Sequence, residues 1–151
     1  MIDRITELLK HPDLPAWVLE LLSDDKDGEV RHHVAIHPST PVDVLKTLAS
    51  DEKLGVVSGV AQNRSTPSSV LLEISNVAVG YIWDDLLENP STPIEALLPI
   101  LLLDIPEDEK NEVIEDSRFA PYVRNWAVEV GYGTDIPLSM LKSLYMNWNK
   151  K

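Results

Sequence analysis

Cysteine is absent from the 151 residues. Its absence excludes disulfides, zinc–thiolate sites, cysteine-ligated iron–sulfur clusters and thiol catalysis. Glycine is sparse, with six residues, and Gly55, Gly59 and Gly80 match neither the dinucleotide-binding pattern nor the P-loop. Basic residues are also few: 13 Lys and Arg face 25 Asp and Glu, for a net charge of −12. That balance argues against a reader of the nucleic-acid backbone, which gains affinity by setting Lys and Arg against phosphates. It suits a basic peptide, a basic protein face or a cation. Long apolar runs are missing too. The most apolar stretch, Ala96–Leu103, is eight residues long and contains Pro99, whereas a membrane span needs about 20. Met1-Ile2-Asp3-Arg4 is mixed and charged, with no signal-type apolar region after it. The expectation is a soluble cytoplasmic protein. The length suits one compact domain or one short repeat array.

What is present is a spacing. His11-Pro12-Asp13-Leu14-Pro15, His37-Pro38-Ser39-Thr40-Pro41, Asn63-Arg64-Ser65-Thr66-Pro67 and Asn89-Pro90-Ser91-Thr92-Pro93 follow one another at intervals of 26 residues. Periods of this size belong to solenoids. The columns between these marks agree: Leu19, Leu45, Leu71 and Leu97; Leu22, Leu48, Ile74 and Ile100; Val30, Val56 and Ile82; Val34, Val60 and Leu86. Within each unit these positions stand three and four apart, which is helix spacing.

Each unit therefore reads as two short helices. One opens at the Thr-Pro pair. The spacing predicts Thr40 as a cap, Pro41 at the first helical position and Asp43 closing a capping box, with Thr92-Pro93-Ile94-Glu95 repeating the device. The other helix covers Glu29 to Ile36, because Pro38 restricts the residue before it. Helices of two to three turns are marginal alone and must bury their apolar stripes against neighbouring units. The sequence predicts one repeat domain over 1–151. Regular repeats occupy 11–103, an acidic insert with a short helix occupies 104–121, and a divergent C-terminal repeat and cap occupies 122–151. The last helix is expected from Pro137 to Asn147.

These columns resemble the leucine-rich repeat variant family of bacterial solenoids, whose unit reads roughly V-R-x-x-V-A-x-N-P-x-T-P-x-x-x-L-x-x-L-A. The best copy here is Val30-Arg31-His32-His33-Val34-Ala35-Ile36-His37-Pro38-Ser39-Thr40-Pro41, continuing through Leu45, Leu48 and Ala49. The resemblance covers residues 11–103 and, weakly, 122–147. It implies an all-α fold, a right-handed superhelix of short helix pairs in which α- and 3₁₀-helices alternate. The repeat here, at 26 residues, is longer than the family's. Some relatives carry a cysteine-ligated iron–sulfur module, which a chain without Cys does not share. Arg31 and Arg124 keep the family's arginine, and Val57 and Trp83 replace it in the middle units.

Several residues invite chemistry and have a plainer reading beside it. His33 and His37 stand four apart with His32 between them, but zinc needs three or four convergent ligands. His37 shares its column with His11, Asn63 and Asn89, all side chains able to bond a turn backbone. Ser23-Asp24-Asp25-Lys26-Asp27-Gly28-Glu29 resembles part of a calcium loop, yet Val34 falls where the bidentate acid belongs. Ser39, Ser65 and Ser91 recur without an ordered His–acid partner. No catalytic, cofactor or metal residue is expected. Arg31 and Arg124 either reach a ligand anion or pair with a nearby acid. Trp83, beside Tyr81, reads as an exposed anchor on a ridge or as local core; Trp17 reads as an end cap or an anchor. Trp126 and Trp148 are expected to seal the C-terminal end.

The expected function is a non-enzymatic protein-interaction scaffold whose acidic surface binds a basic protein or peptide, with Trp83, Tyr81, Arg31, Arg124 and His33 as its candidate surface. An acidic inhibitor covering a basic toxin is one concrete case. The alternatives are an enzyme or cation-binding protein with an acidic cleft, and a nucleic-acid-associated helical-repeat protein. No cofactor, nucleic acid or membrane partner is expected, and a homo-oligomer is compatible with the pattern.

Overall fold

Apolar residues at helix spacing, cut once in each 26-residue period by a proline-bearing turn and once by a turn without proline, leave the chain room only for short helices. The computed structural model describes residues 2–103 and 106–148, without the side chains of residues 2, 3 and 109. Among these described residues the fold is all-α, with eleven α-helices, one 3₁₀ segment and no strand. The chain divides into two compact units, Met1–Thr92 and Pro93–Lys151.

The first unit holds α1 (Ile2–Leu8), α2 (Ala16–Ser23), α3 (Gly28–Ile36), α4 (Val42–Leu48), α5 (Leu54–Gln62), α6 (Ser68–Ser75) and α7 (Ile82–Glu88). α3 packs on α5 and α5 on α7, while α2, α4 and α6 fill the flank of that row. The periodic columns form the core: Leu19, Leu45 and Leu71, Val30, Val56 and Ile82, and Val34, Val60 and Leu86 are all at most 1% exposed. Each contributes about 1.5–3 kcal/mol of burial.

The turns differ from the capping box expected of them. Thr40 and Thr66 are buried, and each hydroxyl donates backwards, Thr40 to the Val34 carbonyl at 2.5 Å and Thr66 to that of Val60 at 2.7 Å. They close the end of the preceding helix instead of opening the next. The reason is the turn itself. The Thr40 N–H already bonds the His37 carbonyl at 3.1 Å, which folds the side chain inward. Pro41 stands one residue before α4, and the exposed Asp43 pairs with Lys46 at 3.2 Å. The acidic turn before α3 caps it as a polar turn should. Asp25 accepts the Asp27 N–H at 2.8 Å, and Asp27 accepts that of Glu29 at 2.9 Å.

The second unit holds α8 (Ile94–Leu97), the 3₁₀ segment Leu98–Leu102, α9 (Glu107–Glu115), α10 (Phe119–Glu129) and α11 (Leu138–Trp148). α3, α5 and α7 are α-helical, so the alternation of α- and 3₁₀-helices that the resemblance implies is not seen in the first unit; among the described residues the 3₁₀ segment is Leu98–Leu102. Pro99 in its first turn has no N–H for a continued α ladder. The acidic stretch forms α9, which buries Val113; Asp104 and Ile105 lie outside the described residues, as do 149–151. Phe119, Val123, Ala127, Leu141 and Tyr145 make the core with it. Tyr145 meets Phe119, Tyr122 and Trp126 edge-on, with centroids 5.5, 5.8 and 5.1 Å apart, and Trp148 meets Trp126 at 6.0 Å. Edge-on aromatic pairs at these distances add about 0.5–1.5 kcal/mol each beyond burial.

Candidate functional site

A buried carboxamide must bond all its polar atoms or destabilise the turn that holds it. Asn63, 5% exposed, does so across the period. Its Nδ2 donates to the carbonyls of Ala35 (2.7 Å) and His37 (2.9 Å), and its Oδ1 accepts the Ser65 N–H (2.9 Å). Asn89 repeats the arrangement with Ala61 (2.7 Å), Asn63 (3.0 Å) and Ser91 (2.9 Å). His37 makes a version of it with a ring. Nδ1 accepts the Ser39 N–H at 3.1 Å and Nε2 donates to the His11 carbonyl at 2.8 Å. Only the neutral tautomer protonated on Nε2 does both. These side chains tie one turn to the next and are spent on backbone.

Arg31 is likewise occupied. Nε and Nη2 donate to the two carboxylate oxygens of Asp51 at 2.7 and 2.9 Å, and Nη1 donates to the Asp25 carbonyl at 2.8 Å. The two side chains are 11% and 8% exposed. The Arg31 guanidinium holds the Asp51 carboxyl below its usual value against the opposing pull of burial, and the Lys53 N–H at 2.9 Å adds to this. Asp51 in turn raises Arg31. With three of its five N–H donors engaged and its side chain 11% exposed, Arg31 is poorly placed to take an anion. In the second unit the matching pin is Arg118 on Asp116, with two bonds of 2.7 Å that lower the Asp116 carboxyl. Arg124 is exposed and lines a shallow groove with Asn125, Val128 and Thr134.

The remaining candidates separate. Trp83 is 7% exposed and belongs to the core with Ile82 and Leu86, so the exposed-anchor reading is corrected. Its column explains this, since Val57 one period earlier is 3% exposed. Tyr81 is 53% exposed at the start of α7. His33 is half-buried, with Nδ1 2.7 Å from the Glu29 carbonyl, and His32 Nδ1 lies 2.7 Å from that of Gly55. Trp17, read as cap or anchor, is 65% exposed. Of the five candidate residues Tyr81 in the first unit and Arg124 in the second are the exposed ones.

A polar groove runs along α5 and α7, lined by Gln62, Arg64, Asp85, Glu88, Asn89 and Pro90. Beside it the buried Ser58 hydroxyl donates to Asp85 at 2.5 Å and accepts from Gln62 at 3.1 Å. Among the described residues no imidazole joins that chain, so it links two helices without assembling a nucleophile. Among the described residues no three His, Cys, Asp or Glu side chains converge to hold a metal ion. No described helix is long and apolar enough to cross a membrane.

Comparison with family models, curated proteins and solved structures finds no match to this chain.

Sequence reasoning missed Asp51, Asp116 with Arg118, and the Ser58–Asp85 bond. Asp51 and Asp85 lie 20 and 27 residues from their partners. One signal was there for the last: Ser58 interrupts the apolar run Val56-Val57-Ser58-Gly59-Val60, and a hydroxyl in such company needs a partner.

Proposed function

We propose that the chain is a helical repeat solenoid of the leucine-rich repeat variant kind and that it serves as a non-enzymatic scaffold for a basic protein or peptide. The solenoid reading is supported by turn residues 26 apart in sequence, Asn63 and Asn89, making the same three bonds. Stacked units present extended surfaces well suited to a partner.

The partner's chemistry follows from one observation. Among the described residues of the first unit Glu20, Glu29, Glu52, Glu73, Asp84 and Glu88 are exposed and in no ion pair, and they outnumber Lys26, Lys53 and Arg64, exposed cations beside them in the same state, while Lys10, Arg31 and Lys46 are paired. The excess negative charge is left facing solvent. Such a field speeds encounter with a basic partner and repels acidic ones. An acidic-cleft enzyme has less support, because the Ser58–Asp85 chain lacks an acid–base pair. A nucleic-acid binder has less still, because acids outnumber bases 25 to 13.

The test is capture from native lysate at moderate salt, followed by identification of what is retained. Basic proteins released by about 0.5 M salt support the reading. No enrichment, or retention of acidic proteins insensitive to salt, overturns it.

A further inference from the structure

One face of α2 is apolar where its counterparts are polar. Trp17, Glu20, Leu21 and Asp24 follow at i, i+3, i+4 and i+7 and so share a side of the helix. All four are exposed, Trp17 at 65% and Leu21 at 68%. Asp13, one turn earlier in sequence, is exposed as well. One period on, the Trp17 and Leu21 positions hold Asp43 and Thr47, and two periods on Ser69 and Glu73. Position for position, that side of α4 carries Asp43, Lys46, Thr47 and Ser50 and that of α6 carries Ser69, Leu72, Glu73 and Asn76, so neither sets two large apolar groups together as α2 does.

Asp13, Glu20 and Asp24 make none of the ion pairs among the described residues, and Lys26 in the following turn makes none either. Two bulky apolar groups one helical turn apart, set among three unneutralised carboxylates, define the chemistry of what would cover them. Burial of the indole and the leucine requires apolar side chains at matching helical spacing. The carboxylates at their edges require cations beside those side chains, or they lose water without compensation.

We propose that this face of α2 docks a cationic amphipathic helix of a partner protein, with Trp17 and Leu21 entering its apolar stripe and Asp13, Glu20 and Asp24 meeting its Lys and Arg. The proposal rests on the scaffold reading above and gives it a place and a partner chemistry. A second copy of this chain fits badly, because a two-fold contact through the same patch returns carboxylates to carboxylates. Anionic lipid and nucleic acid are repelled for the same reason.

The experiment titrates the full chain with a synthetic Lys/Leu peptide whose leucines follow helix spacing. A peptide of the same composition in shuffled order serves as control. Binding is read by anisotropy of the labelled peptide and located by amide shifts of the ¹⁵N-labelled protein. Shifts concentrated on α2 and its flanking turns are expected, with the shuffled peptide about tenfold weaker. Trp17→Ala with Leu21→Ser should weaken binding about tenfold or more. Glu20→Gln with Asp24→Asn should weaken it less and flatten its salt dependence. Asp84→Asn with Glu88→Gln on α7 should leave it within about twofold.

Peptide binding that maps elsewhere and ignores Trp17 and Leu21 overturns this proposal and leaves the scaffold reading standing. Equal binding of the shuffled peptide also overturns it. Absence of binding at millimolar peptide overturns both. Self-association in sedimentation that Trp17→Ala abolishes assigns the face to a second copy and overturns the proposal.

Discussion

His37 and Asn63 occupy one turn position a period apart and satisfy it with different chemistry, a ring nitrogen pair in one and a carboxamide in the other. His37→Asn is therefore expected to leave the urea unfolding midpoint unchanged or raise it. His37→Ala strands the His11 carbonyl and the Ser39 N–H and should lower stability by about 1–3 kcal/mol. Asn63→Asp keeps the acceptor but loses both donors and sets a charge against two carbonyls. It should cost more than Asn63→Ala at neutral pH, measured the same way. Asp51 gives a pH prediction. Its folded carboxyl titrates below the unfolded value of about 3.9. The stabilisation is complete above that value and disappears as pH falls through the folded one. Asp51→Asn should thus be less stable at neutral pH and show a shallower acid limb when urea midpoints are compared between about pH 2 and 7. That Arg31 would pair with an acid was legible as one of two readings. The identity of Asp51 was not, because the pairing depends on how one turn lies over the next.

Helices α3 and α5 approach closely at Gly59. A Cβ there would lie 3.0 Å from Ala35 Cβ and 3.1 Å from both His32 Nδ1 and Ile36 Cγ2. Ala35 has no side-chain freedom with which to yield, so the helices must separate. Gly59→Ala is expected to lose about 1 kcal/mol despite its better helix propensity. Gly55→Ala in the same helix meets nothing within 4 Å and should gain about 0.5 kcal/mol. Thermal or urea unfolding of the two variants tests the contrast. The tryptophans divide in the same way. Trp83→Ala should cost about 3–5 kcal/mol, whereas Trp17→Ala should barely move the midpoint. The helices themselves were readable from period and proline, with α3 starting one residue before its expected first residue and α11 shifted by one at each end. The threonines were readable as turn residues but not in their direction, since whether a hydroxyl faces forward or back depends on how tightly the turn closes.

Over the whole chain the net charge of −12 acts as a field and not as a set of bonds. Association with a basic partner should accordingly slow about tenfold or more between low and physiological salt, with dissociation changing much less, as stopped-flow mixing would show. An association rate indifferent to salt would detach the charge from recognition. The sign and size of this field needed only composition. Its effective surface did not: pairing removes Asp51 and Asp116 from it, and leaves Glu20, Asp84 and Glu88 within it.

The linear pattern sufficed for an all-α chain of short helices, for the buried columns and for the turn positions, because these rest on local backbone rules and on a hydrophobic period. It did not suffice to say which tryptophan meets water. Trp83 and Trp17 sit in helices of similar length, and their burial is set by which side of each helix its neighbours cover. Exposure and the long-range polar pairs, Arg31 with Asp51 and Ser58 with Asp85, are properties of packing between segments some 20–30 residues apart, and they exist only once those segments have met.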